Sequence, residues 1–516
     1  MKEEGARDGP GADGGATGLP FAWAAVSLAA LHAVLGLLLY EPTLFPGGDN
    51  AGYMILGDAL RSGEGYRDLY LPAQPLHAKY PPLFPALLAV LGWLGGLQLF
   101  KLAMLACTTA AVWLTARVGR ELVGEGAALF AAGLLALNPT LLEYGHYVLS
   151  EAPFLLLVLL SLYGAVRGDR KGDTLAVLAA VGAFATRTAG LTILLALPTA
   201  WLFARRRRAA GVAGGAALAT MVLWGLYQGW AAPQQAGYVE ELFLIDPYSP
   251  AAGSVGFGGL VARAAANLWA YASRVVPHTV LGSEDPVGTP LVLLGLAFSG
   301  LALLGWARRA RREVGAAELF VLLYAVLIAI WPVVWTDRRF LLPLVPLLSL
   351  LAIGALADLG PRVARWGPLA IVAVVGIPCA IWIADRVPDR IECVAAWRGG
   401  SPCDAPAFAS LYAAAAWAAE HTEPDAVIVN RKPRLFYLIS RRRGDVYPYS
   451  PDPDAVMAAL DEWGTDYVVV DQVSGTTIRY LVPAIREHEA RFEPVYQGGS
   501  PPTYVFRLHP PTLNAQ

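Results

Sequence analysis

The stretch that decides the fold is EPTLFPGGDNAGYMILGDALRSGEGYRDLYLPAQPLHAKYPPLFP, residues 41–85. It follows an apolar run at 21–40 that is long enough to cross a bilayer, which takes roughly 20 such residues. The loop stays polar as far as Lys79 and Tyr80, where apolar sequence resumes. Asp49 therefore belongs close to a membrane surface. Gly47 and Gly48 precede it and allow backbone and a bound molecule to come close. A carboxylate at a partly dry interface has the raised basicity and the position of a general base. It is equally placed to cap the short amphipathic helix AGYMILGDAL that follows. Lys79 at headgroup level suits a lipid phosphate, or serves as a snorkelling anchor. Tyr80 stands beside it.

Composition supports this reading. Over 516 residues the hydrophobic fraction is 56% and the charged fraction 16%, with a mean hydropathy of +0.48. Soluble chains carry roughly 25% charged residues, so much of this surface needs a solvent other than water. A net charge of −2 argues against a nucleic-acid partner. Further apolar spans are expected at 98–118, 124–142, 147–166, 209–230, 288–306, 316–335, 338–358 and 367–386. The run 173–204, broken by Thr186, Arg187 and Thr188, reads as two short helices in a tight hairpin. Segment 82–97 is short and carries Pro and Gly, so it reads as an interfacial or half-inserted helix.

Orientation follows from the basic clusters at Arg117/Arg120, Arg167/Arg170/Lys171, Arg205 to Arg208, Arg308 to Arg312 and Arg362/Arg365. Cytoplasmic loops are enriched in such residues. All five clusters share one side if the N-terminus is cytoplasmic and 82–97 does not cross. The expected fold is an all-α polytopic membrane protein with about 11 to 13 crossings and a small extracytoplasmic α/β domain. The parts are a polar cytoplasmic leader (1–20), a transmembrane region (21–386) with outer loops 41–81 and 231–287, and the C-terminal domain (387–516). Within that domain the pattern predicts helices at 407–421, 433–441, 453–463 and 477–488, and strands at 426–430, 466–471, 492–497 and 503–508. No Gly-rich phosphate-binding motif occurs there, so a lid or docking role suits it. Cys393 and Cys403 would meet in a local disulfide if that region is extracytoplasmic. A bacterial inner membrane is the expected location.

Other candidate residues lie at the same outer level. Glu151, in GHYVLSEAP (145–153), opens a span, where an unpaired carboxylate is costly. It suits metal ligation, an ion pair or acceptor binding, or is a helix-start acid favoured by the macrodipole. His146 and Tyr147 are near it. Arg187 is a lone cation among apolar residues, and Arg338 and Arg339 sit at the mouth of another span in WTDRRFLLPLVP. Arginine grips phosphate bidentately, although such residues also anchor to headgroups or pair with Asp337.

These pieces together resemble the GT-C glycosyltransferases, closest to the family 39-like group of protein O-mannosyltransferases and lipid A aminoarabinose transferases. The resemblance is carried by GGDNAGYMILGDALRSGEGY, KYPPLFPALLAVL, NPTLLEYGHYVLSEAPFLLLVLLSLY, ATRTAGLTILLALP and RRFLLPLVPLL, and spans most of 20–360. It implies a sugar donor on a polyprenyl phosphate and a glycan, lipid or protein acceptor outside the cytoplasm. Asp49 would be the base for an inverting transfer, with Lys79, Arg187 and Arg339 on the phosphate. Tyr80, His146, Glu151 and Arg338 complete the expected substrate-binding set. A divalent cation on Asp49 and Glu151 stays open, weakened by Asn50 where some relatives carry a second acid. A transporter or flippase without covalent chemistry competes, as does a ligase for whole lipid-linked oligosaccharides. The absence of a convincing internal repeat counts against transport.

Overall fold

The computed structural model describes residues 18–232, 237–248, 252–283, 287–400 and 403–511. Most of the polar leader lies outside these residues. The first membrane helix is α1 (Gly18–Leu38). The loop after it holds α2 (Gly48–Ser62) and leads into α3 (Leu83–Gly92) and the long α4 (Leu97–Val123). At 10 residues α3 is about 15 Å long, half of a hydrocarbon core. It does not reach across, as its Pro and Gly content suggested.

Next come α5 (Glu125–Ala136), α6 (Pro139–Tyr144), α7 (Glu151–Arg167), α8 (Arg170–Thr186), α9 (Leu191–Phe203) and α10 (Arg207–Ala231). The turn between α8 and α9 is the expected hairpin, with Arg187 extended at its tip. Helices α7 and α8 lie against each other through small residues. A Cβ on Gly164 would stand 2.5 Å from the Gly172 carbonyl oxygen. In lipid, where apolar surface gains nothing from leaving water, such close backbone approach is what holds helices together. The basic turns at 167–171 and 205–208 fall at the ends of α7, α8 and α9 opposite Glu151 and Arg187.

The second loop differs from expectation. After α11 (Tyr238–Phe243) it contains α12 (Phe257–Ala270), which runs through a π turn at 271–275 into α13 (Val276–Leu281). This long helix packs on α14 (Thr289–Arg312) and α15 (Ala316–Ile330). Its polar residues hid it in the sequence, and they are taken up by neighbouring backbone. Asn267 donates to the Ala329 and Trp331 carbonyls at 2.8 and 2.7 Å, and Arg263 to the Leu242 and Leu244 carbonyls at 2.7 and 2.6 Å.

The bundle closes with α16 (Arg338–Leu341), α17 (Val345–Ala357), α18 (Pro361–Ile371) and α19 (Ile377–Arg398). Among the described residues six helices are long and apolar enough to cross a membrane, including Pro20–Leu38, Arg338–Ala357 and Arg365–Arg398. A disulfide joins Cys393 to Cys403.

The α/β domain follows with α20 (Pro406–His421), β1 (Ile428–Val429), α21 (Pro433–Ser440), α22 (Pro453–Glu462), β2 (Tyr467–Val470), α23 (Val482–Glu487), β3 (Phe492–Gly498) and β4 (Thr503–Leu508). The sheet order is β1-β2-β4-β3, with β1 and β2 parallel and the rest antiparallel.

One helix joins the two halves. Helix α2 has every residue from Asn50 to Gly57 buried, as expected of a helix covered on both faces. Tyr53 and Leu56 face the membrane-helix core, while Ile55 and Ala59 pack with Leu69, Tyr70 and Tyr437 of α21. The Gly444 N–H donates to the Tyr70 carbonyl at 2.9 Å, and Arg441 pairs with Asp58 at 3.1 Å. The α/β domain is thus seated on the loop that carries Asp49.

Candidate active site

Asp49 lies in the first turn of α2, where the helix dipole favours a negative charge. It does not cap the helix. The cap position is Gly47, with no side-chain capping bond. Its carboxylate is spent on side chains from three other segments. Oδ1 accepts from the Tyr80 hydroxyl at 2.8 Å, and Oδ2 from Arg339 Nη1 at 2.6 Å. Arg434 Nη1, from α21, stands 3.7 Å from Oδ1.

Glu151, the first residue of α7, is gripped by both Arg187 and Arg339. Arg187 Nη1 also donates to Ser150 Oγ at 2.9 Å, and that hydroxyl meets Tyr53 OH at 2.9 Å. The result is a chain of alternating charge, Arg187–Glu151–Arg339–Asp49–Arg434, drawn from five helices or their ends. Exposure separates its two carboxylates. The Glu151 side chain is 0% exposed and that of Asp49 33%. Only Asp49 is open to a bound molecule.

The expected rise in Asp49 basicity does not occur in this arrangement. Burial alone pushes its carboxyl up, but the charge of Arg339, then Arg434, and the Tyr80 hydrogen bond outweigh it. They hold it well below the usual carboxylate range. Burial and the nearby Asp49 charge raise the Tyr80 phenol well above its ordinary value, so it stays a donor.

Tyr80 is itself pinned. Its backbone N–H donates to His77 Nε2 at 2.9 Å while His77 Nδ1 meets Asp68 at 2.9 Å, and Tyr66 OH donates to the Tyr80 carbonyl at 2.8 Å. With Nε2 accepting, Nδ1 carries the proton and the imidazole is neutral.

The structure thus brings Asp49, Tyr80, Glu151, Arg187 and Arg339 together. Lys79 lies next to them, paired with Glu241 at 2.7 Å and over the Tyr238 ring at 5.4 Å. Two expected residues stand elsewhere. His146 is buried and its Nε2 meets the Gly36 carbonyl at 2.8 Å, a helix-packing contact. Arg338 turns away to Glu143 at 2.7 Å, because consecutive helical residues point in different directions.

A cleft of roughly 440 Å³ lies beside the cluster, lined by Lys79, Tyr238, Gln228, His77, Tyr70 and Arg434 among others. Arg434, Tyr53 and Ser150 did not stand out in the sequence. Only the density of cations in RKPRLFYLISRRRG, just after β1, signalled Arg434.

Metal ligation fits this donor set poorly. Arg339 places Nη1 on Asp49 and Nε on Glu151, so a guanidinium already occupies the space between the two carboxylates. Among the described residues no group of three or more His, Cys, Asp or Glu is arranged to hold a metal ion.

No family's sequence profile matches this chain, and no curated protein does. Solved structures do. ArnT from Cupriavidus metallidurans bound to undecaprenyl phosphate is 17% identical, with a TM-score of 0.59 over 95% of this chain and 98% of that one. The oligosaccharyltransferase AglB from Archaeoglobus fulgidus, in complex with an inhibitory peptide and a dolichol-phosphate, is 13% identical with a TM-score of 0.54, covering 86% of this chain and 69% of that one. The same archaeon's enzyme in complex with Zn and sulfate is 14% identical with a TM-score of 0.58, covering 94% and 74%. ArnT and AglB are GT-C superfamily glycosyltransferases, and this chain has the GT-C fold.

Proposed function

We propose that the protein transfers a sugar from a polyprenyl-phosphate donor to an acceptor on the extracytoplasmic side of a bacterial inner membrane, with inversion at the anomeric carbon. The observation that carries this reading is the position of Asp49. It is a half-open carboxylate, backed by a fixed row of cations, in a chain with the fold of two lipid-phosphate-bound transferases. In the reaction the acceptor hydroxyl attacks the anomeric carbon and gives its proton to Asp49. The bond from that carbon to the phosphate oxygen breaks, and its electron pair leaves with the lipid phosphate. A phosphate needs no proton to depart. Nearby guanidinium groups would offset the charge that develops on it.

Glu151 acts indirectly in this scheme. It fixes Arg187 and Arg339, and Arg339 in turn orients Asp49. Because Arg339 fills the gap between the carboxylates, we propose a reaction in which no divalent cation is required. The sugar is a hexose or pentose unit; the acceptor is a glycan, lipid or protein.

The test is sugar release or transfer from a labelled polyprenyl-phosphate donor by purified protein in nanodiscs, with and without EDTA. Asp49→Asn should lower kcat by about 10²–10⁴, the range for loss of a general base, while the melting temperature holds. EDTA should leave the native rate in place. Native-like turnover by Asp49→Asn would remove the base assignment. Lipid movement across the bilayer without any turnover would favour the flippase reading.

A further inference from the structure

Two cations line the cleft. Lys79 comes from the first loop and Arg434 from the α/β domain. Each now faces a carboxylate, Glu241 at 2.7 Å and Asp49 at 3.7 Å. Arg187 and Arg339, by contrast, are both committed to the fully buried Glu151, and an anion that took either one would strip a buried carboxylate of one of its two counter-charges. The Arg434 contact to Asp49 is much looser than the 2.6 Å contact from Arg339.

The guanidinium of Arg434 is also held ready. It lies over the Tyr70 ring at 5.2 Å and reaches Tyr80 OH only at 3.5 Å. Beneath it is Gly52, where any Cβ would come within 3.3 Å of Arg434 Nη1. Among the described residues the guanidinium meets only the Tyr70 and Tyr80 side chains and, loosely, Asp49, so part of its five N–H donors is open to an anion.

We propose that Arg434 and Lys79 together bind the phosphate of the lipid-linked substrate, and that this phosphate draws Arg434 off Asp49 and thereby frees the base. The idea rests on the transferase reading above and adds the α/β domain to the reacting centre. A phosphate replaces a carboxylate as the partner of Arg434, an exchange of one charge-assisted contact for another in bidentate geometry. The base then remains clamped by two arginines until the donor is in place. Other charged or titratable groups around Asp49 are Tyr80, Tyr53, Tyr238, Glu151, Arg339 and Lys432. None of these except Tyr80 and Arg339 touches its carboxylate.

The experiment measures binding of polyprenyl phosphate, with polyprenol as the uncharged control, to full-length protein in neutral-lipid nanodiscs. Arg434→Gln should weaken polyprenyl phosphate by about tenfold or more and leave polyprenol unchanged, with partial recovery in Arg434→Lys. Asp49→Asn should tighten polyprenyl phosphate, because the competing carboxylate is gone. In the native protein the acid limb of kcat, which reports the bound state, should lie at higher pH than that of kcat/KM, which reports the free one.

Unchanged affinity in a folded Arg434→Gln protein, or weaker binding in Asp49→Asn, would overturn the proposal even with sugar transfer intact. Loss of polyprenyl-phosphate binding in discs rich in phosphatidylglycerol would overturn it too, since the site would then read any anionic headgroup. If the native protein never transfers sugar yet shows this binding pattern, the phosphate site stands and the transferase reading falls.

Discussion

The charge chain through the site has two unlike ends. At the inner end Glu151 sits fully buried with its Oε1 shared by Arg187 and Arg339, and Ser150 and Tyr53 carry the hydrogen-bond chain onward from Arg187. At the outer end Asp49 shares Arg339, but its other cation is the distant Arg434 and a third of its side chain is open. Both ends pair a carboxylate with two arginines. The difference is what each carboxylate is able to give up. A buried ion pair is costly to break because its partner charges stay in a low dielectric. An open one exchanges partners at little cost. The inner end is thus suited to hold geometry and the outer end to do chemistry.

Removing Glu151 gives the largest expected effect on this comparison. Glu151→Gln leaves Arg187 and Arg339 without their counter-charge and should lower stability by about 3–5 kcal/mol. The measurement is the apparent melting temperature and folded yield in detergent, set against Asp49→Asn, which should melt close to native. If Glu151→Gln folds like the native protein and loses only catalysis, the two ends are alike and the division fails.

The asymmetry between the ends also explains what was legible in the sequence. The α/β domain could be read almost element by element, because AVIVN and DYVVVD are short β-branched runs between amphipathic helices. Glu151, Arg187 and Arg339 stood out because a charge in an apolar setting is conspicuous, and Asp49 because its polar loop follows the first span at once. Arg434 did not. Its helix, PRLFYLIS, is ordinary for a soluble domain, and its partner lies 385 positions earlier in the chain (434 − 49). Nearness in sequence did not carry over to space for two others. Arg338, next to Arg339 in α16, lies on another helix face against Glu143, and His146, in the turn between α6 and α7, packs against Gly36. The helix from Phe257 to Leu281 escaped for a related reason, since its Arg263, Asn267 and Arg274 break the apolar signal.

A smaller effect comes from the floor under Arg434. Gly52 lies inside α2, where glycine is a poor helix former, so a side chain there costs the helix nothing and contributes up to about 1 kcal/mol. Its neighbour is the far end of a flexible arginine rather than backbone. Gly52→Ala should therefore keep its melting temperature within a few degrees while crowding the guanidinium out of place. Polyprenyl-phosphate affinity should fall severalfold, less than in Arg434→Gln. A variant that binds normally would mean that Arg434 tolerates displacement, and the close fit to α2 would have no bearing on the site.

The smallest effect is expected at Arg441, and it separates charge from docking. Arg441 and Arg434 both come from α21 or its end, and both meet acids on α2, Asp58 at 3.1 Å and Asp49 at 3.7 Å. By distance alone the Arg441 pair is the better one. Yet the Arg441 side chain is 54% exposed, and exposed pairs contribute roughly 0–1 kcal/mol because water screens them. Domain seating rests instead on the apolar contact of Ile55, Ala59, Leu69 and Tyr70 with Tyr437, and on the Gly444 to Tyr70 hydrogen bond. Arg441→Gln should accordingly leave both melting temperature and polyprenyl-phosphate binding at native values. Should it weaken binding as much as Arg434→Gln, what matters at the outer end is how firmly the α/β domain sits on α2. The special place of the Arg434 charge beside Asp49 would then be lost.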